Sequence, residues 1–132
     1  MSDEGYELEY IHDAFQKNWI APLGENVNEF EKTMGEFMGE GYPVALSAGT
    51  AALHLAMILA GVKPGDTVLC QSLTFSASAN PVAYCGAKPV FIDSERETWN
   101  MDPAALRRAF ELYGTPKAVV IVHLYGNPAK LD

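Results

Sequence analysis

Val44-Ala45-Leu46-Ser47-Ala48-Gly49-Thr50-Ala51-Ala52-Leu53-His54-Leu55-Ala56 runs from a short apolar stretch, through a turn of small residues, into a helix-forming segment. Val44 to Leu46 reads as a buried strand. Ser47, Ala48 and Gly49 keep the turn free of bulk, and Ala51 to Ala60 is a strong helix former stopped by Gly61. A helix entered this way aims its unpaired N–H groups and the positive end of its dipole at whatever lies above the turn, and the Thr50 hydroxyl adds a donor. Phosphate is the expected guest. The same residues also fit a plain strand-to-helix turn with threonine as cap. Neither G-x-G-x-x-G nor a following Gly-Lys-Ser/Thr is present, which disfavours a nicotinamide dinucleotide or a nucleoside triphosphate.

The 132 residues, 48% of them hydrophobic, suffice for one ordinary soluble domain, and no segment has a disordered composition. A formal charge of -8 and only nine scattered Lys and Arg argue against nucleic acid or an anionic membrane as partner. Cys70 and Cys85 lie in apolar segments without pattern. They read as reduced thiols rather than a disulfide framework, and no zinc spacing or other metal site is present. The first residues lack the basic start and apolar core of a signal peptide, and no run approaches the roughly 20 apolar residues that span a bilayer. A cytoplasmic protein is expected.

Beyond the turn the chain alternates strand and helix: Thr67 to Gln71, a helix ending near Cys85-Gly86, Lys88 to Ile92, a helix from Pro103, and Ala118 to Leu124. This alternation predicts a parallel sheet covered by helices. Asp102-Pro103 supplies a cap and a first-turn proline, the helix they open is apolar along Leu106, Ala109 and Phe110, and Gly114 closes it. Pro81 removes a helical N–H, so its helix either starts late, around Ser78 to Asn80, or bends there. Upstream, Val27, Phe30, Met34, Phe37 and Met38 fall at helical spacing in a segment from Asn28 to Met38, a face expected to pack on something. Trp19-Ile20-Ala21-Pro22-Leu23-Gly24 has no periodicity and reads either as a loop that approaches a ligand or partner, or as a buried tryptophan anchor.

Five segments in register resemble the DegT/DnrJ/EryC1/StrS family of pyridoxal-phosphate-dependent sugar aminotransferases. They are Trp19 to Gly24, the Ser47 to Leu53 turn, Leu73-Thr74-Phe75-Ser76-Ala77-Ser78-Ala79-Asn80, Lys88-Pro89-Val90-Phe91-Ile92-Asp93, and Val122-His123-Leu124-Tyr125-Gly126-Asn127-Pro128. Within the family the sequence is most similar to transaminases of the UDP-N-acetylbacillosamine type, which act on UDP-linked 4-keto-6-deoxy-N-acetylhexosamines. The resemblance implies an α/β fold. The chain would be the N-terminal part of the large domain of a fold type I enzyme, three-layered α/β/α with a mainly parallel sheet, incomplete here. It further implies an N-terminal helix and substrate-loop segment over 1–27, and part of the cofactor domain over 28–132.

On this resemblance Gly49, Thr50 and Ala51 bind the phosphate of pyridoxal 5'-phosphate, and Phe75 stacks on its ring, although Phe75 also fits a core position. Trp19, Ile20, Pro22 and Gly24 line the substrate pocket. His123, at the end of the last strand, reads as structural. The family's Schiff-base lysine and the aspartate that pairs with the pyridinium nitrogen fall beyond Asp132, so no catalytic residue is assigned in this chain, and a truncated chain is expected to be inactive alone. Ala48 departs from the serine of many members. The strand Val44 to Leu46 would lack the sheet neighbours that later sequence supplies in fold type I. The expected activity of the intact enzyme is transfer of an amino group, from L-glutamate, to a nucleotide-linked keto-sugar, by a homodimer. The alternatives are a keto-sugar dehydratase of the same family, a non-catalytic phosphate-binding or association module, or an unrelated small flavodoxin-like protein.

Overall fold

The computed structural model describes residues 3–131, which divide into two compact units, one up to Leu46 and one from Ser47 onward. The first unit holds helix α1 (Tyr6–Gln16) and helix α2 (Glu25–Met38). Asn18, in the left-handed region at φ 57°, ends α1, where the Trp19 N–H donates to Ala14 O at 2.8 Å. Lys17 then joins the helices by ion pairs to Asp13 at 3.0 Å and Glu25 at 2.7 Å. These pairs are exposed, so water and salt screen them and they add little to stability.

Two expectations fail in this unit. Val44 to Leu46 forms no strand: Val44 is 65% exposed, and no described segment pairs with it. A strand without a neighbour leaves its backbone groups unsatisfied, and here the Ala45 N–H turns instead to Glu31 Oε1 at 2.7 Å. The apolar stripe of α2 also buries none of its residues among those described, Phe37 being 84% exposed.

The second unit begins with α3 (Gly49–Leu59). It continues through β1 (Thr67–Gln71), a 3-10 turn at Ser76–Ser78, α4 (Asn80–Tyr84), β2 (Lys88–Ile92), α5 (Pro103–Tyr113) and β3 (Ala118–Val120). Pro81 occupies the first turn of α4, so that helix starts late rather than bending. Asp102 caps α5 by accepting the Ala104 N–H at 2.8 Å. The sheet is parallel throughout with order β2-β1-β3, pairing Leu69 with Val90 on one side and with Val119 on the other. Its last strand stops at Val120, short of the expected Leu124. His123 therefore lies beyond the sheet and opens a second 3-10 turn, Leu124–Gly126.

Central β1 is buried on both faces, with Val68, Leu69 and Cys70 wholly inaccessible. Val68 and Cys70 join Met57, Val82 and Val120 under α3 and α4, while Leu69 joins Val90, Ile92, Met101 and Ala109 under α5. This is the three-layer arrangement that the resemblance implied, built on the parallel sheet expected from the alternation. Burial raises the Cys70 thiol to about 11, so it stays protonated at neutral pH. Edge strand β2 carries Pro89, and its neighbour Lys88 donates its N–H inward to Asp66 O at 2.8 Å.

Two glycines with nearly the same backbone test the packing of turns. Gly61 at φ 72° has only the flexible Lys117 side chain nearby, whereas a Cβ on Gly86 at φ 69° would meet Pro64 Cγ at 3.1 Å and its Cα at 3.4 Å. Gly61→Ala is expected to cost about 1 kcal/mol in urea unfolding, the penalty of the left-handed backbone. Gly86→Ala is expected to cost more, since the proline ring must also move. Equal losses would refute the contact.

Candidate functional site

The chain leaves β1 toward β2 on one side and returns to β3 on the other, so the carboxyl ends of β1 and β3 flank a topological switch point. Open α/β sheets bind ligands in the crevice at such a point. A cavity of about 930 Å³ lies within the second unit, lined by Ala48, Gly49, Thr50 and Leu53 of α3 and its entry, Leu73 to Phe75, Ala77 and Ser78 after β1, and Val122, Leu124 and Tyr125 after β3. That volume suits a small ligand.

Each wall has a local cause. The backbone of Ala48 is extended at φ -164° and ψ 158°, and its carbonyl accepts the N–H groups of Ala51 at 3.0 Å and Ala52 at 3.1 Å. The first N–H groups of α3, those of Gly49 and Thr50, have no acceptor among the described residues, and no acidic residue in the first turn or capping side chain competes for them. A Cβ on Gly49 would stand in open space. Of the three residues expected to hold phosphate, Gly49 and Thr50 thus face the cavity with free donors. Ala51 does not line it, and its N–H is engaged within the turn.

Phe75 lines the same cavity and is 77% exposed, so its ring is not a core element. Thr74 Oγ1 and Ser78 Oγ share a hydrogen bond of 2.8 Å that closes the turn beneath it. His123, read from the sequence as structural, accepts the Ala129 N–H on its Nδ1 at 3.0 Å. Trp19, Ile20 and Gly24 line a different cavity of about 180 Å³ inside the first unit, together with Asp13, Lys17 and Glu25, and Pro22 is not part of its wall. Trp19 is 53% exposed, which excludes a buried anchor, and its Cβ lies 3.2 Å from where a Cβ on Gly24 would stand. Among the described residues no cluster of His, Cys, Asp and Glu could hold a metal, and no helix is long and apolar enough to cross a membrane.

Two buried amides that sequence reasoning passed over fix the cavity rims. Gln71, fully buried at the end of β1, donates to Leu73 O at 2.8 Å and accepts the Met101 N–H at 3.1 Å. Asn100, 1% exposed, accepts the Leu124 N–H at 2.9 Å and donates to Asn127 O at 2.9 Å. For Gln71 the visible signal was a polar side chain ending an apolar strand, since a buried amide must find partners; Asn100, between β2 and α5, offered none. Behind Asn100, Glu95 accepts from the Thr98 hydroxyl and from the Glu97 and Thr98 N–H groups, both at 2.7 Å, and pairs with Lys130 at 3.3 Å.

Comparison with known proteins places this geometry. The profile of the DegT/DnrJ/EryC1/StrS aminotransferase family matches residues 2–132. The chain belongs to that family. EpsN of Bacillus subtilis, which carries a provisional name as a pyridoxal phosphate-dependent aminotransferase, is 56% identical over 97% of this chain and 34% of its own length. GDP-perosamine synthase of Caulobacter vibrioides is 42% identical over 98% of this chain and 34% of its own. Among solved structures, an aminotransferase from Psychrobacter cryohalolentis superposes with a TM-score of 0.81 at 30% identity, covering 96% of this chain and 32% of that one. The chain thus spans about a third of the length of these family members.

The Glu95 cluster gives a pH dependence. Hydrogen bonds from Thr98, from the Glu97 and Thr98 backbone and from Lys130 lower its carboxyl from 4.5 to about 2. A depressed carboxylate stabilises the fold above its unfolded value and loses that contribution as pH falls through the folded one. Stability is therefore expected to decline between pH 4.5 and about 2, and Glu95→Gln is expected to flatten the decline in thermal melts across that range. An unchanged slope would remove Glu95 as its source.

Proposed function

We propose that this chain forms the phosphate-binding and ring-binding wall of a pyridoxal-phosphate-dependent sugar aminotransferase. One observation carries the reading: a single cavity joins the free N–H groups of Gly49 and Thr50 to the exposed ring of Phe75. The residues fit the group. Two backbone donors at the positive end of an 11-residue helix favour a phosphate dianion, the Thr50 hydroxyl adds a donor, and Ala51 continues the turn that aims the helix. Phe75 offers an apolar face that stacks on a pyridine ring and keeps water from it. Pyridoxal phosphate, when bound, supplies the electron sink and carries the amino group.

For the whole enzyme the reading extends to transfer of an amino group from L-glutamate to a nucleotide-linked keto-sugar, of the UDP-linked 4-keto-6-deoxy-N-acetylhexosamine class, in a cytoplasmic homodimer. The names of related proteins support a nucleotide-sugar acceptor: besides GDP-perosamine synthase, a UDP-2-acetamido-2-deoxy-3-oxo-D-glucuronate aminotransferase of Pseudomonas aeruginosa is 40% identical over 83% of this chain. Trp19, Ile20, Pro22 and Gly24 belong to the substrate segment in this reading, whose domain division follows residues 1–27 and 28–132.

The reading is tested by titrating pyridoxal phosphate, and pyridoxal without its phosphate, into the protein while following intrinsic fluorescence. Pyridoxal phosphate is expected to bind far more tightly than pyridoxal, and Thr50→Val to weaken it about tenfold, as loss of a hydrogen bond to a charged group predicts. Equal affinity for the two compounds would sink the phosphate assignment.

A further inference from the structure

The turn that carries Tyr125 into the cavity wall is held in an unfavourable backbone conformation. Tyr125 stands at φ 51° and ψ 29°, in the left-handed region that a bulky residue seldom adopts. Its side chain is fully exposed, at 101%, so packing among the described residues does not compensate. Hydrogen bonds hold the turn instead. Asn100 grips both its ends through Leu124 and Asn127. The Gly126 N–H donates to His123 O at 3.0 Å, the Asn127 N–H to Leu124 O at 3.0 Å, and the Asn127 side chain to Thr98 O at 3.3 Å.

Strain of this kind persists only where its surroundings over-determine it, commonly at ligand sites. No described residue packs on this ring, yet a buried amide keeps it on the wall of the cavity that also contains Phe75 and the free donors of α3. We propose that Tyr125 is a second aromatic contact for the ligand of this cavity, pyridoxal phosphate, and that Asn100 is the positioning residue that holds it there. The proposal rests on the proposed function and adds to its binding site a residue on the β3 side.

The test combines the melting temperature of the ligand-free protein with the Kd for pyridoxal phosphate. Asparagine tolerates the left-handed region, so Tyr125→Asn is expected to melt at or above the wild-type temperature while its Kd rises about fivefold, the scale of one aromatic contact. Tyr125→Phe keeps the ring and is expected to stay within about twofold of wild type. Asn100→Ala is expected to weaken binding as Tyr125→Asn does, and the double variant to bind no more weakly than Tyr125→Asn alone, because Asn100 acts through the tyrosine. Further loss in the double variant would make Asn100 merely structural and overturn its positioning role. Wild-type affinity in Tyr125→Asn would overturn the tyrosine contact and with it the positioning role of Asn100, leaving the proposed function standing, and this measurement holds even if Asn100→Ala does not fold. Failure of the wild-type protein to bind pyridoxal phosphate would instead overturn the function and this proposal with it.

Discussion

Satisfaction of the β1 backbone between two parallel neighbours is the constraint on which the second unit depends. A strand buried on both faces cannot leave its N–H and C=O groups to water, so β2 and β3 must pair with it in fixed register. With Val68 and Cys70 on one face and Leu69 on the other, that register decides which helix covers which side. Burying a Val or Leu side chain fully contributes roughly 1.5–3 kcal/mol, which makes this short strand the energetic centre of the unit. The ends of β1 and β3 then carry their loops to one rim. The cavity is a product of strand order before it is a product of any one side chain.

Polar groups refine what the sheet positions. Gln71 and Asn100 are buried because each has found two backbone partners; Leu73 and Leu124 wall the cavity, Asn127 follows the Leu124–Gly126 turn, and Met101 adjoins Asn100 in the chain. Asn100 and Met101 are consecutive, so the two rims are linked through one short stretch of chain. An unsatisfied amide at either position would cost about 1–3 kcal/mol, enough to make the loop geometry a shared property of the fold.

The alternation of strands and helices was legible because it rests on local rules: the apolar run of β1, Asp102 before Pro103, and Gly61 after α3 each act within a few residues. The family was legible too, from five segments in register between Trp19 and Pro128, the entry of α3 among them. Val44 to Leu46 misled because strand formation is not a local property; an apolar triplet becomes a strand only when a neighbour accepts its hydrogen bonds. The α2 stripe failed in the same way, since periodicity states which face is apolar but not what lies against it. Leu124 was assigned to β3 because apolar character continues past Val120, while the pull of Asn100 on its N–H comes from 24 residues away. Long-range amide pairing of that kind has no signature in a window of neighbours.

The proline of β2 bears on the two edges of the sheet differently. Backbone donors alternate in direction along a strand, and with Lys88 bonded inward the nitrogen of Pro89 faces away from β1. The proline therefore sacrifices no ladder bond and deletes a donor that an incoming strand would need. Ala118 to Val120 carries no such block. The sheet is therefore less open to extension beyond β2 than beyond β3, which favours the β3 side for any strand that enlarges it.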